Sequence, residues 1–239
     1  MKSFADLLIA WHAKSGRHHL PWQQSKDPYS VWVSEIMLQQ TQVTTVIDYF
    51  NRFMKKFPTI KALANADEEE VMQLWSGLGY YRRARFLHEG AQMIVGEMKG
   101  NFPSKFDMMM KIPGIGRSTA GAIAAFSFNQ KKAILDGNVK RVLSRYFLIS
   151  EWTGLPQTEK KLWNYAESLL PNKNIDTYTQ ALMDLGATLC NKKPQCNLCP
   201  LKKNMPRISK GQSPSHTYPS PSKKDTYRIY PYDNHQTSR

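Results

Sequence analysis

From Phe4 to about Leu201, apolar residues recur at the three-and-four spacing of helices, and no convincing run of strands interrupts them. A chain patterned in this way can bury its apolar stripes only by packing helix on helix, so an all-α domain is expected. Helix punctuation is frequent. Asp27-Pro28 opens a helix running through Val33 and Met37. Thr41 is a candidate cap for a second helix, which carries Val43, Val46, Ile47, Phe50 and Met54 on one side and ends near Pro58. Asp67 caps EEEVMQLW, whose first-turn acids suit the helix dipole. Gly77 and Gly79 make a turn before the helix of YYRRARFLHEGAQMI, and further helices are expected over 118–128, 137–149, 158–170 and 176–189. There is no internal repeat.

The 33 basic and 19 acidic residues leave a net charge of +14, which favours a polyanionic partner such as nucleic acid. No stretch approaches the roughly 18 apolar residues of a membrane span. The amphipathic N-terminus, MKSFADLLIAWHAKSG, is interrupted by Asp6 and does not read as a signal peptide, so a cytoplasmic protein is expected. Three cysteines, all between 190 and 199, argue against a disulfide scaffold. Composition shifts near residue 203. From Asn204 to Arg239 there are five prolines and almost no aliphatic residues, which reads as a disordered basic tail after a domain over 1–203. Residues 201–239 hold eight basic and two acidic residues, leaving +8 of the +14 on the remainder.

Three stretches carry chemistry. In SEIMLQQTQV the lone acid Glu35 sits among apolar residues, followed by Gln39, Gln40, Thr41 and Gln42. Amides are neither a charged solvent face nor core. In IPGIGRSTAGAI, Pro113-Gly114-Ile115-Gly116 forms a tight turn whose two glycines permit unusual backbone angles and close approach of a ligand. Arg117, Ser118 and Thr119 then start a helix whose free N–H groups suit a phosphate, without base readout. In AILDGNVKRVL, Asp136 precedes Gly137-Asn138 and a helix, a good N-cap position. Glycosidic cleavage typically needs two carboxyl groups, one to protonate the leaving group and one to support an oxocarbenium-like sugar. The apolar context of Glu35 would raise its pKa, while a helix start should keep Asp136 ionised.

Together, LPWQ, SEIMLQQTQV, GLGYYRRAR, IPGIGRSTAGA, ILDGNVKRV, MDLGATLC and CNLCPL resemble the helix-hairpin-helix-GPD superfamily of DNA glycosylases, most of all the MutY-type adenine DNA glycosylases, over about residues 4–201. The resemblance implies a two-lobed all-α fold and an enzyme of base excision repair. Such an enzyme flips adenine, mispaired with 8-oxoguanine or guanine, out of double-stranded DNA and hydrolyses its N-glycosidic bond. It further implies that Glu35 is the acid that protonates adenine, that Asp136 stabilises the sugar cation, and that Asn138 lies near the reacting sugar. Trp22 would flank the base pocket, although LPW could equally be core. Gln40 would wedge into the vacated stack, Gln39 and Thr41 would lie near the opposing base, and Tyr80 would intercalate beside 8-oxoguanine. Arg82, Arg83 and Arg85 are candidates for phosphate contacts. Bifunctional relatives of the endonuclease III type place a Schiff-base lysine where Ser118 stands. A hydroxyl forms no imine, so a monofunctional glycosylase is expected.

The pattern breaks at its end. The family's [4Fe–4S] cluster takes four cysteines, but here Cys190, Cys196 and Cys199 are followed by Met205 where the fourth would stand. The cluster is expected to be absent, labile or held by three cysteines in a degenerate iron–sulfur loop. The family's NUDIX-like C-terminal domain has no counterpart beyond Lys203. A frameshift near codon 204 or a replaced tail is expected, with weaker preference for 8-oxoguanine. A monomer associated with the nucleoid is the expected state. Two alternatives stand beside the glycosylase: a catalytically impaired DNA-binding remnant, and a glycosylase/lyase of the endonuclease III type.

Overall fold

A computed structural model of the chain describes residues 2–205. The expected basic tail lies outside the described residues, apart from its first two. Within them there are helices and no strand. They run α1 (Phe4–Ser15), α2 (Pro28–Leu38), α3 (Val43–Lys56), α4 (Ile60–Ala64), α5 (Glu68–Trp75), α6 (Arg82–Glu97), α7 (Phe106–Met109), α8 (Arg117–Phe128), α9 (Gly137–Tyr146), α10 (Pro156–Ser168) and α11 (Ile175–Ala187).

Two apolar cores divide the chain into two lobes. One core gathers Trp32, Met37, Phe53, Leu63, Trp75, Leu87 and Ile123, and so joins α2–α6 to α8. The other gathers Leu8, Val139, Leu143, Leu162, Tyr178 and Leu185, joining α1 to α9, α10 and α11. The N-terminal helix thus crosses to pack on α11, near the other end of the sequence. Helix α8 serves both lobes, since Ala120 and Ile123 face the first core and Ala122 the second. Its small residues let neighbouring backbone approach closely. A Cβ on Gly121 would collide with the carbonyl oxygen of Ala133, in the segment leading to Asp136. Gly121→Ala is therefore expected to destabilise the fold by about 1–3 kcal/mol, read as a lowered urea midpoint at unchanged slope.

Local chemistry sets the helix starts. Asp27 accepts the Ser30 N–H at 3.1 Å, with Pro28 in the first turn of α2. Ser3 and Asp6 form a reciprocal capping box on α1. Two sequence expectations are corrected. The N-cap of α3 is Gln42 rather than Thr41, whose hydroxyl donates to the Gln39 carbonyl at 3.2 Å. Helix α9 stops at Tyr146, short of 149, where Leu148 takes a left-handed φ of 57° that no helix continues through.

Candidate active site

Glu35 stands near the C-terminal end of α2, whose neighbouring Val31, Trp32, Ile36 and Met37 are buried. Burial, and after it the negative charge of Asp136, push the Glu35 carboxyl up to about 8. The carboxyl lines a cleft of ≈ 250 Å³ at the junction of the lobes. Trp22 and Ser34 form one wall, with Arg17, His18, Thr177 and Gln180 on the other. Trp22 also packs edge-on against Phe50 at 5.4 Å, so it belongs to the core as well as to the cleft.

Asp136 caps α9, its Oδ1 accepting the Val139 N–H at 2.7 Å. Burial raises its pKa, and hydrogen bonds from Val139 and Asn138 and the charge of Arg141 offset this only in part. Burial thus works against the ionised form that a helix start favours, and it is the larger of the effects on Asp136. Even so, it is Asp136 that supplies the charge felt by Glu35. The two carboxyls, remote in sequence, form one electrostatic pair. Asn138 Oδ1 accepts from Arg141 at 2.7 Å. Ser118 Oγ accepts the Leu135 N–H at 2.9 Å, which ties the first turn of α8 to the residue before Asp136.

A second cleft, of ≈ 440 Å³, is lined by Gln39, Gln40, Tyr80, Arg83, Phe86 and Gly114. Gln40 is exposed and Tyr80 is 59% exposed, with left-handed φ of 57° and 52°. Gln39 Nε2 reaches Thr119 Oγ1 at 3.5 Å, linking this loop to the hairpin. Gly114 (φ 78°) makes the hairpin turn, and a Cβ there would meet Phe86 Cβ at 2.9 Å. Gly116 differs from expectation. Its φ of −85° is open to any residue and a Cβ there would meet nothing within 4 Å, so neither backbone angle nor packing requires glycine. Among the arginines read as phosphate contacts, Arg83 is turned inward onto carbonyls and Arg85 pairs with Glu68 at 3.0 Å, while Arg82 lies over Phe86.

A four-thiolate cluster would need Cys190, Cys196, Cys199 and a fourth thiolate in the place of Met205. Arg145 donates to Cys190 Sγ at 3.3 Å, and Arg141 and Arg145 both donate to the Cys190 carbonyl. The side chain in the fourth place, Met205, is buried in the second core with Leu201. Among the described residues no three His, Cys, Asp or Glu are arranged to hold a metal. The whole chain has three thiols, so the donor set does not fit a cluster that needs four.

Sequence reasoning missed the far wall of the first cleft. Asp184, fully buried, accepts the Arg17 N–H and Nε, both at 2.7 Å, and Gln180 Nε2 at 2.9 Å, and it ion-pairs with the Arg17 guanidinium at 2.6 Å. These bonds fix Arg17 and Gln180 in the wall. The signal was present: Asp184 in MDLGATLC is a lone acid in an apolar run, as Glu35 is.

Two packed helical lobes, a glycine hairpin and a cleft-lining Glu35 under the charge of Asp136 make up a helix-hairpin-helix fold with a carboxyl site. The family model of HhH-GPD superfamily base excision DNA repair proteins matches residues 33–168. The chain belongs to that family. It is 50% identical over 201 residues to an adenine DNA glycosylase of Buchnera aphidicola subsp. Acyrthosiphon pisum, covering 84% of this chain and 57% of that one. It is 42% identical to the adenine DNA glycosylase of Homo sapiens, covering 84% of this chain and 38% of that one. The chain thus spans a little over half the length of the Buchnera relatives it matches. A thermostable thymine-DNA glycosylase superposes with a TM-score of 0.78 at 28% identity, over 87% of this chain and 95% of that one. An endonuclease III–DNA covalent intermediate, at 20% identity and TM-score 0.72 over 87% of this chain and 94% of that one, shares the fold. No helix among the described residues is long and apolar enough to cross a membrane.

Proposed function

We propose that the chain is a monofunctional DNA glycosylase that removes adenine mispaired with 8-oxoguanine or guanine from double-stranded DNA. The observation that carries this reading is the carboxyl pair, with Glu35 holding its proton to about pH 8 beside the charge of Asp136. The relatives' name supplies the identity of the base. The +14 charge and the hairpin before α8 favour a DNA backbone as partner.

Adenine, extruded from the stack, enters the first cleft beside Trp22. Arg17, Thr177 and Gln180 present hydrogen-bonding groups to its edge. Glu35 donates a proton to the departing base, and the negative charge of Asp136 stabilises the sugar cation as the glycosidic bond breaks. Asn138 helps hold Asp136 in place. Gln40, exposed and uncharged, fills the vacated stack, while Gln39, Thr41 and Tyr80 attend the opposing base. Gly114, Gly116 and Ser118 belong to the hairpin that grips a phosphate. Ser118 has no amine, so no imine forms and the product is an abasic site in an intact strand. No step passes through Cys190, Cys196 and Cys199. The working unit in this reading is the domain over 1–203, together with the buried Met205.

The test is a duplex carrying adenine opposite 8-oxoguanine, with the adenine strand end-labelled and its scission scored with and without hot alkali. Breaks only after alkali are the expected result. Breaks without alkali would contradict the monofunctional reading, and bound duplex with no abasic site would contradict the enzyme reading altogether.

A further inference from the structure

Arg83 makes five side-chain hydrogen bonds among the described residues. Its NH1 donates to the carbonyls of Ile36 and Met37, each at 2.9 Å, and of Gln39 at 2.6 Å. Its NH2 donates to Thr41 Oγ1 at 3.2 Å and to the Gly79 carbonyl at 3.1 Å. The guanidinium also lies 5.4 Å from the Trp75 ring and 5.3 Å from the Tyr80 ring. One cation therefore ties together the end of α2, the Gln39–Thr41 loop and the turn before α6.

Each of these pieces needs such a tie. The last carbonyls of a helix lack the usual i+4 donors; at the end of α2 the Ile36 carbonyl takes the Gln39 N–H at a long 3.4 Å, and a cation there also suits the helix dipole. Gln40 and Tyr80 both hold left-handed φ, which non-glycine residues keep only where their surroundings over-determine it. Both side chains point at the second cleft, and Arg83 lies between their loops. No carboxylate is among the partners of Arg83 within the described residues; its two terminal nitrogens are committed to these loops, while its buried Nε makes no hydrogen bond.

We propose that Arg83 is a positioning residue that holds Gln40 and Tyr80 in a fixed relative geometry, so that they enter the duplex together when a base is extruded. This rests on the adenine-glycosylase reading above. The role requires a planar fork. A lysine ammonium, a single point on a flexible stem, cannot reach α2, Thr41 and Gly79 at once.

The test compares the wild-type chain with Arg83→Lys in two ways. Amide hydrogen exchange is read on the DNA-free protein. Binding is read on a matched duplex and on one with 8-oxoguanine opposite 2′-fluoro-2′-deoxyadenosine, whose glycosidic bond resists cleavage. In the variant, exchange should rise together over 38–42 and 77–81 while α8 and α11 keep wild-type protection. The mispair-to-matched affinity ratio should fall about tenfold, the loss of a geometry-dependent arginine contact set. Unchanged exchange in either loop would overturn the tie. Loosened loops with an unchanged ratio would overturn the positioning role and leave Arg83 purely structural. A wild-type chain that itself binds both duplexes equally would remove the adenine-glycosylase reading, an outcome visible before any variant is measured.

Discussion

Glutamine in place of Glu35 is expected to lower the single-turnover rate of adenine release by about 10³-fold while duplex binding stays within a few-fold of wild type. The amide keeps the shape of the side chain and removes the proton it would donate. The loss should thus fall on the chemical step and leave affinity largely untouched. A stability effect of opposite sign accompanies it. The Glu35 carboxyl is raised from 4.5 to about 8, so the folded state holds a proton that the unfolded state releases. Its contribution is fully present below about pH 4.5 and is lost as pH rises through 8. Glu35→Gln should therefore melt above wild type at pH 9, with the gap closing toward acid. Substantially retained turnover in this variant would remove Glu35 from the reaction.

Asparagine in place of Asp136 is the second large effect, a loss of about 10²–10³-fold in the same rate. Here the fold should be little disturbed. Asp136 accepts the Val139 N–H at 2.7 Å, and asparagine caps a helix about as well as aspartate. What disappears is the negative charge. That charge also helps hold Glu35 up, so the alkaline limb of any residual activity should move to lower pH. A variant that melts far below wild type would assign Asp136 a structural rather than an electrostatic role, as would one that keeps the wild-type rate.

The helices were legible because their signals are local. Of the stripe read on α3, Val46 and Phe50 are buried and Val43, Ile47 and Met54 pack half-buried against the same core, while buried Phe53 is absent from that reading, and Asp27-Pro28 opens α2 with its own cap. The unusual setting of Glu35 was legible for a related reason, since its apolar neighbours in the sequence are themselves buried. Long-range contacts were not. Nothing in LHEGAQMI or RRARF says that Arg83 will turn inward and bind the carbonyls of Ile36, Met37 and Gln39. Nor does sequence pair Arg17 with Asp184, which α1 and α11 bring together by packing. Gly116 looked conformationally special because Gly114 beside it is. Only the backbone angles separate the two, with φ of 78° at Gly114 and −85° at Gly116. Burial of Asp136 is a tertiary property as well, and it raises the carboxyl's pKa against the effect of the helix start.

The central claim is that a protonated Glu35 drives loss of adenine. It is tested most directly by the pH dependence of the single-turnover rate on the duplex with adenine opposite 8-oxoguanine. The rate should hold through neutrality and fall about tenfold per unit above roughly pH 8, where the Glu35 proton is lost. A rate that stays level to pH 10, or that already falls from about pH 5, would contradict the assignment of Glu35 as the acid.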